Sequence, residues 1–247
     1  MPISTASVRR RLASMLDRAI ASVVVRGMDA YYGKIYYTNR WHPHHALLQD
    51  ALDDTVGYIK SNMSDALIRR DALEVLSYAA KQCRVADGMV LEFGVRSGMT
   101  INHLAGRFPT TTLHGFDSFE GLPEAWTGWT LDAGAFSGEG LPWVAENVEL
   151  HVGWFDDTLA PFLADQPGPV RLLHIDSDIY SSAKTVLDEL APRLVPGSVI
   201  VFNEYFNYPN WRQHEFRAWQ EHCATHAVTY EYLCWGLYEV AVRITDG

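Results

Sequence analysis

The chain has 247 residues, of which 48% are hydrophobic and 20% charged, so its composition is typical of a soluble globular protein built around one main domain. Its formal net charge of -10 disfavours a nucleic-acid surface, which needs a basic stripe, and no apolar run approaches the roughly 18 residues of a membrane span. Three widely spaced cysteines, Cys83, Cys223 and Cys234, predict reduced thiols and a cytoplasmic location.

The first 85 residues predict a helical N-terminal extension. Apolar residues recur at helical spacing over residues 7–26, and two more helices are predicted over Leu47–Ile59 and Ser64–Cys83, with Ser64 as the N-cap of the last. An apolar helix face outside the main sheet must be covered, which favours a homodimer or higher homo-oligomer. We therefore expect residues 1–85 to form contacts with the substrate and between subunits.

Short apolar strands alternate with helical segments from residue 89 onward. Strands are predicted at 89–94, 112–117, 148–153, 170–176 and 198–203, and helices near 98–107, 156–165, 182–193 and 211–224. This alternation is typical of a parallel sheet with helices on both faces. Residues 228–244 predict an antiparallel hairpin that turns near Trp235 and Gly236. The predicted fold class is α/β, a Rossmann-like doubly wound sheet of seven strands, mostly parallel, in a domain of residues 86–247.

The first of these strands runs into a glycine turn that begins a helix. Glu92 precedes Gly94 and Gly98, giving an ExGxxxG pattern rather than the GxGxxG pattern of dinucleotide sites. Glycine permits a sharp turn and the close approach of a ligand, and an acid at this strand end suits a cationic amino group. The second strand ends at Asp117, which is well placed to accept hydrogen bonds from ribose hydroxyls. Together these residues predict a cofactor site.

Oxygen-bearing side chains end the fourth and fifth strands of this series. Asp176 and Asp178 lie in the segment HIDSDIY, and Asn203 and Glu204 follow the fifth strand. Ligands bind outside the carboxyl ends of the strands in open α/β sheets, and hard divalent cations prefer oxygen ligands. A bound cation would lower the pKa of an acceptor hydroxyl; the alternative is direct base catalysis by Asp176 or Glu204. We interpret Asp178 as a cap of the helix that follows.

Five segments resemble the class I S-adenosylmethionine-dependent methyltransferases, and within them the macrocin O-methyltransferase type, which modifies hydroxyls of natural products. The resemblance spans about residues 89–206 and rests on LEFGVRSGMTINHLA, HGFDSFEGLPEAW, GWFDDTLAPFL, LLHIDSDIYSSAKTVLDEL and PGSVIVFNEYF. It implies that S-adenosylmethionine is the cofactor and that these residues contact it: Glu92, Gly94, Gly98, Thr100, Asp117, Ser118, Trp154, Phe155 and Asp176.

The same resemblance implies a magnesium site in which Asp176 is the first acid. Asn203 and Glu204 stand where relatives carry two adjacent acids, so the predicted ligand set for Mg²⁺ is Asp176, Asn203 and Glu204, and the catalytic candidates are Asp176 and Glu204. Asparagine removes one negative charge from that pair. Both the metal-assisted scheme and the direct-base scheme therefore stay open.

Aromatic and histidine-rich segments supply further candidates. Residues 124–143 form a long Gly- and Trp-rich stretch that predicts a lid, in which Trp126, Trp129 and Trp143 stack on the acceptor or else pack in the core. Residues 206–216 offer pocket walls in Tyr208 and Trp211, and a general base in His214. The segment WHPHH at residues 41–45 favours a loop rather than a metal cluster, because adjacent histidines do not converge readily on one ion.

These patterns predict an S-adenosylmethionine-dependent enzyme that methylates a hydroxyl of a small natural product, such as a sugar or another secondary metabolite. Two alternatives remain. Methyl transfer to nitrogen needs no metal, and a protein of this fold can bind the cofactor yet catalyse another reaction, such as a cyclisation. The expected partner is a small-molecule acceptor, with no nucleic acid and no membrane.

Overall fold

The computed structural model describes residues 42–138 and 140–246. The helix predicted over residues 7–26 lies outside these residues. The chain divides into two compact units between residues 49 and 50, and every described strand belongs to the second unit. The predicted domain boundary at residues 85 and 86 stays a prediction. No helix in the described part of the chain is both long enough and apolar enough to span a membrane.

An eight-stranded sheet organises the second unit. Its strands are β1 (Leu67–Ile68), β2 (Met89–Phe93), β3 (Leu113–Asp117), β6 (Val148–Val152), β7 (Val170–Ile175), β8 (Val199–Phe202), β9 (Thr229–Trp235) and β10 (Val240–Asp246). Their order is β1-β9-β10-β8-β7-β2-β3-β6, and β4 (Trp126–Thr127) and β5 (Thr130–Leu131) form a separate hairpin. Strands β6, β3, β2, β7 and β8 are mutually parallel, and β10 is antiparallel to both of its neighbours.

Helices cover both faces of this sheet. They are α1 (Pro43–Asn62), α2 (Ala72–Gln82), α3 (Met99–Ala105), α4 (Phe155–Asp165), α5 (Tyr180–Leu190) and α6 (Glu215–His226), with 3₁₀ turns at Ala191–Arg193 and Trp211–Gln213. Successive side chains of a strand point to opposite faces. Accordingly, Leu172 packs in one apolar cluster with α2 and α3, whereas Leu173 packs in another with α5 and α6. The predicted doubly wound α/β fold is confirmed.

The strand β1 was not predicted, and it moves the start of the next helix. Residues 67–68 pair in parallel with Cys234 and Trp235 of β9, so the chain is extended where a helix was expected to begin. The N-cap of α2 is Asp71, whose Oδ1 accepts a hydrogen bond of 2.9 Å from the Glu74 amide. The prediction that Ser64 caps this helix was therefore wrong, because sheet pairing delays the helix until the next capping residue.

The histidine-rich segment at the start of the described chain is helical rather than a loop. Pro43 is the first residue of α1, a position where its fixed φ is suited to a helix and its missing N–H costs nothing. His44 and His45 therefore lie in the first helical turn, and their ring centroids are 6.4 Å apart. The prediction of a loop at these histidines was wrong.

Candidate functional site

A cavity of about 550 Å³ lies at the carboxyl ends of β2, β3, β7 and β8. Its wall contains the turn after β2, the residues after β3, and the ends of β7 and β8. The start of α5 and parts of the segment between residues 121 and 140 complete it. The wall holds most of the site residues predicted from sequence: Gly94, Thr100, Asp117, Ser118, Trp154, Phe155, Asp176, Asn203 and Glu204. Glu92 and Gly98 are not part of the wall.

Gly94 allows the ends of β2 and β7 to approach each other. Its φ is +95°, and a Cβ at this position would lie 1.7 Å from the carbonyl oxygen of Asp176. The Asp176 amide donates to the Phe93 carbonyl oxygen at 2.8 Å, which fixes the same junction. Gly98, the N-cap of α3, has a φ of +78° and lies beside Trp143 rather than in the cavity wall. Glycine at 94 is thus required for Asp176 to reach its position.

Asp117 holds the glycine turn through main-chain hydrogen bonds. Its Oδ2 accepts from the amides of Val95 and Arg96, each at 2.8 Å, and its Oδ1 accepts from the Phe119 amide at 2.7 Å. Arg96 has a φ of +45°, an uncommon conformation for a residue with a side chain. The carboxylate of Asp117 therefore shapes two loops of the cavity wall, in addition to facing the cavity itself.

Glu92 lies beneath the cavity in a buried polar chain. Only 1% of its surface is exposed, its Oε1 accepts from the Thr100 hydroxyl at 2.9 Å, and its Oε2 accepts from His174 Nδ1 at 2.9 Å. Burial lowers the pKa of His174, but the hydrogen bond and charge of Glu92, together with the charges of Asp176 and Glu239, outweigh it and leave that pKa raised. Direct contact between Glu92 and a cofactor stays a prediction.

Ser118, Trp154 and Phe155 line another part of the cavity wall. Ser118 Oγ accepts from the Glu120 amide at 3.1 Å, and Trp154 immediately precedes α4. The Phe155 ring packs edge-on against Phe93 at a centroid distance of 5.2 Å. These contacts provide an apolar wall next to a polar loop, the combination that a nucleoside requires.

Three carboxylates converge where β7 and β8 end. Oxygen atoms of Asp176, Asp178 and Glu204 all lie within 4.8 Å of one another. Asn203 links two of them, since its Nδ2 donates to Asp176 Oδ1 at 3.2 Å and to Glu204 Oε1 at 2.6 Å. The structure thus contains an acidic cluster, defined here as Asp176, Asp178 and Glu204, with Asn203 as a donor beside it.

Burial makes this acidic cluster costly to ionise. Burial raises the pKa of Asp176 to about 6, against which the positive charge of His174 acts in part. The pKa values of Asp178 and Glu204 are raised well above their usual range, first by burial and then by the negative charge of Asp176. Glu204 Oε2 is buried and has no hydrogen-bond partner among the described residues. An unpaired carboxylate oxygen in such surroundings requires a proton or a cation.

Asp178 belongs to the acidic cluster, and the prediction that it caps a helix was wrong. The N-cap of α5 is Ile179, with no capping side chain. Asp178 has a φ of +66° and is 9% exposed. A left-handed residue between β7 and α5 reverses the local chain direction, so its carboxylate meets those of Asp176 and Glu204 instead of the helix end.

A further buried carboxyl group beside the acidic cluster, that of Glu215, was not predicted from sequence. Its Oε1 accepts from the Ser177 amide at 3.3 Å and its Oε2 from the Glu204 amide at 3.0 Å, so it ties the ends of β7 and β8 together. Burial raises its pKa well above the usual range. Its only sequence signal is an acid in the first turn of a predicted helix, which normally indicates a favourable interaction with the helix dipole.

The tryptophan-rich segment contributes only partly to the cavity. Trp126 and Phe136 lie in the wall, and the Arg96 guanidinium lies 4.4 Å from the Phe136 ring centroid. Trp129 stacks on Tyr208 at 6.0 Å, and Trp143 is 79% exposed. A lid function for this segment stays a prediction.

The three residues predicted as pocket walls or base after β8 do not line the cavity. Tyr208 and Trp211 are almost fully buried, and Trp211 packs against Phe216. His214 Nε2 lies 2.8 Å from the Thr127 carbonyl oxygen, to which it donates, and burial lowers its pKa. Tyr208 and His214 therefore contact the β4–β5 hairpin, whereas Trp211 packs in the core, and the prediction that these side chains face the pocket was wrong.

Residues 91–205 match a family model described as a methyltransferase domain. A tetracenomycin rhamnosyl 4'-O-methyltransferase from Streptomyces olivaceus is 36% identical over 62 residues, which cover 24% of this chain and 22% of that protein. The match thus spans about a fifth of the length of this relative.

Two solved structures share the fold. The calicheamicin methyltransferase CalS11 aligns with a TM-score of 0.59 and 22% identity, covering 81% of this chain and 90% of that one. The O-methyltransferase NovP aligns with a TM-score of 0.52 and 20% identity, covering 70% and 79%. The match to a methyltransferase domain at residues 91–205 confirms the resemblance identified from five sequence segments, and these two methyltransferases share the fold of this chain.

Proposed function

We propose that this chain transfers a methyl group from S-adenosylmethionine to a hydroxyl of a small natural product, most specifically to a sugar hydroxyl. One observation carries the proposal: a single cavity combines the glycine turn and Asp117 on one side with the acidic cluster on the other. The first half suits an adenosyl ligand, and the second suits a hydroxyl that must lose its proton.

The cofactor half of the proposal assigns roles to residues of the wall. Asp117 retains unused lone pairs on oxygens that already accept from main-chain amides, so it can also accept from ribose hydroxyls. Trp154 and Phe155 would contact the adenine. Gly94 leaves room for the methionine portion, and Gly98 and Thr100 shape the turn beneath it. Glu92 would act on the amino group directly or through the Thr100 hydroxyl, to which it is hydrogen-bonded.

The acid half of the proposal makes Asp176 the base, with Glu204 as the second candidate. A pKa of about 6 leaves Asp176 largely ionised at neutral pH yet basic enough to accept a proton from an acceptor hydroxyl. Burial raises the pKa of Glu204 well above its usual range, so this carboxyl group is suited to hold a proton or a cation. Asn203 restrains both carboxylates through its amide group and fixes their orientation.

The residues of the acidic cluster also fit a hard divalent cation such as Mg²⁺. Three carboxylates converge, all with raised pKa values, and one oxygen of Glu204 lacks a partner among the described residues. The predicted ligands Asp176, Asn203 and Glu204 would gain Asp178 as a third carboxylate, which offsets the charge that asparagine lacks at position 203. A cation held there would supply the positive charge that lowers the pKa of an acceptor hydroxyl.

The acceptor class is inferred from the relative whose name specifies a rhamnosyl 4'-O-methyltransferase. A pyranose hydroxyl has no acidity of its own near neutral pH, so it needs the base or cation that the acidic cluster offers. An amine is nucleophilic as soon as it is unprotonated, so it needs no cation. The buried carboxylates therefore favour a hydroxyl acceptor over nitrogen.

A transfer assay with methyl-labelled S-adenosylmethionine tests the proposal. The acceptor panel contains rhamnosides with free 2-, 3- and 4-hydroxyls, and the matched amino sugars as nitrogen acceptors. We expect label in a rhamnoside, loss of transfer after chelation with EDTA, and recovery with Mg²⁺. Transfer that is indifferent to chelation would leave Asp176 as a direct base and refute the cation.

Binding without transfer provides the opposing outcome. If S-adenosylhomocysteine binds by calorimetry but neither panel nor crude glycoside extracts become labelled, the chain is a cofactor-binding protein with another reaction. If only the amino sugars are labelled, the hydroxyl assignment fails. Asp87→Asn, which changes an exposed acid remote from the cavity, is the matched control for the activity of acid-cluster variants.

The proposal includes a homo-oligomer in the cytoplasm, as predicted from sequence. The predicted apolar helix face of residues 7–26 supports the oligomer, and the three free thiols, Cys83, Cys223 and Cys234, suit a reducing compartment. Light scattering on the full chain measures the number of subunits. A monomer at micromolar concentration would refute the proposed homo-oligomer.

A further inference from the structure

A second convergence of ligand-type side chains lies on the outer strands of the sheet. His114 is on β3, and Glu149 and His151 are on β6, the edge strand. His114 is paired with Glu149 across the two strands, and residues i and i+2 of a strand share a face. All three side chains therefore point to the same side of the sheet, next to the ring of Phe162 on α4.

The distances between these side chains match those of a metal coordination sphere. His114 Nδ1 lies 3.2 Å from His151 Nε2 and 3.5 Å from Glu149 Oε2, and all three atoms are within 4.8 Å of one another. In a tetrahedral zinc site with ligands at 2.0–2.1 Å, neighbouring ligand atoms are about 3.3 Å apart. Two imidazoles and one carboxylate are also a ligand set that borderline divalent cations accept.

The electrostatics of the site agree with its geometry. Burial lowers the pKa values of both His114 and His151, so the neutral imidazoles that a metal needs are present at neutral pH. Stacking of His151 on Phe116, at 4.5 Å, holds that ring in place. An exposed glutamate on an edge strand has a simpler explanation in blocking unwanted strand pairing. That explanation covers Glu149 but not the convergence of two imidazoles on it.

We propose that His114, Glu149 and His151 form a second cation site, which takes a borderline transition metal of the Zn²⁺ class. It differs from the acidic cluster in position, in ligand chemistry and in exposure. Three protein ligands leave one coordination position, which opens on a cavity of about 490 Å³ also lined by Asp157 and Asp165. Water would fill that position.

A bound ion would act as a clip between β3 and β6. It would join His114 to His151, which are 37 positions apart in the chain. His151 lies three residues before Trp154, which lines the main cavity. Because the ion binds the folded state, it should raise the unfolding temperature by an amount that grows with the logarithm of its concentration once that concentration exceeds its Kd. The site is therefore a stabilising element rather than a participant in methyl transfer.

The test uses the full chain after dialysis against EDTA, titrated with Co²⁺ and then Zn²⁺ in the presence of excess Mg²⁺. Excess Mg²⁺ competes for the oxygen ligands of the acidic cluster, and the variants described below separate the two sites. We expect one equivalent of Co²⁺ to give the visible absorption of a tetrahedral nitrogen- and oxygen-ligated ion, and Zn²⁺ to displace it. Zinc should also raise the unfolding temperature.

Variants decide whether these three residues bind the ion. His151→Gln should weaken Zn²⁺ binding at least about 100-fold, since even a loss of supporting hydrogen bonds around a metal costs about 10–100-fold. Glu149→Gln, at a side chain that is 65% exposed, should weaken it without affecting folding. His226→Gln is the matched control, because His222 and His226 are another neighbouring imidazole pair, outside this site. Circular dichroism checks that each variant is folded.

Two results would overturn the proposal. Wild-type protein that takes up no equivalent of Co²⁺ or Zn²⁺ contains only a hydrogen-bonded histidine pair at this edge. Binding that is unchanged in His151→Gln places the ion elsewhere, and on α6 if it also disappears in His226→Gln. Neither result bears on methyl transfer, which is measured separately.

Discussion

The acidic cluster and the histidine site, which is formed by His114, Glu149 and His151, differ in the direction in which burial shifts their pKa values. Asp176, Asp178 and Glu204 lie at the centre of the sheet, where burial raises their pKa values. His114 and His151 lie at its edge, where burial lowers theirs. In both places desolvation disfavours the charged form, and the opposite directions follow from the opposite charges of carboxylate and imidazolium.

The same desolvation cost thus suits the two proposed sites to different ions. Neutral imidazoles are ready to bind a borderline metal without losing protons at neutral pH. Buried carboxylates must lose protons first, so their affinity for a hard cation grows as the pH rises. In the proposed scheme, the central site would couple a cation to the proton chemistry of an acceptor, whereas the proposed edge site would only bind an ion and stabilise the fold.

The largest expected effect is a loss of activity from a substitution at the central site, which should leave the edge site unchanged. Asp176→Asn removes the proposed base while keeping the size of the side chain, so kcat for methyl transfer should fall about 10²–10⁴-fold. Zinc binding at His114 and His151 should stay unchanged. Steady-state kinetics and Co²⁺ absorption measure the two properties, with Asp87→Asn as the control. Normal kcat in Asp176→Asn would remove that residue from the chemistry and leave Glu204.

A substitution at Gly94 tests how the backbone builds the central site. Gly94→Ala places a Cβ 1.7 Å from the Asp176 carbonyl oxygen and should lower the free energy of unfolding by about 4 kcal/mol. Gly134 has a similar positive φ of +78°, but a Cβ added there would meet no atom within 4 Å. Gly134→Ala should cost only about 1–2 kcal/mol. Urea unfolding measures both, and equal losses would show that the close approach at Gly94 is unimportant.

The pH dependence of stability should have opposite signs at the two sites when divalent cations are removed. The pKa of Asp176 is about 6 in the folded protein and ordinarily 3.8. Its contribution to the free energy of unfolding is therefore present at low pH and is lost as the pH rises through that interval. Asp176→Asn should remove about 1–3 kcal/mol of this loss. His114 and His151 have lowered pKa values, so their contribution is lost as the pH falls below 6.5.

Urea unfolding across about pH 4 to pH 8 measures these contributions. Both contributions change below pH 6.5, and His151→Gln should alter the slope there by less than Asp176→Asn and in the opposite direction, because His151 is only half-buried. A profile in which Asp176→Asn destabilises the protein more at pH 7 than at pH 4 would contradict the sign derived for the central site.

Much of the fold was predictable because it depends on local patterns. Apolar strands and helical segments alternate at the right lengths, and five strand predictions agree with the observed strands to within one or two residues. The strand β1 was not predictable, since two residues carry no periodicity and their pairing with β9 is a distant contact. Ser64 and Asp71 are both capping residues, and only that pairing decides between them.

The amino-acid sequence was sufficient to predict that a glycine turn, Asp117 and the acids at the ends of β7 and β8 would meet at the carboxyl ends of the parallel strands. Parallel strands bring their carboxyl ends together whatever the rest of the chain does. The inclusion of Asp178 in the acidic cluster and the support from Glu215 became visible only in three dimensions, because these placements depend on one left-handed residue and on the docking of α6. The convergence of His114, Glu149 and His151 likewise follows from the register of β3 against β6, which no local pattern specifies.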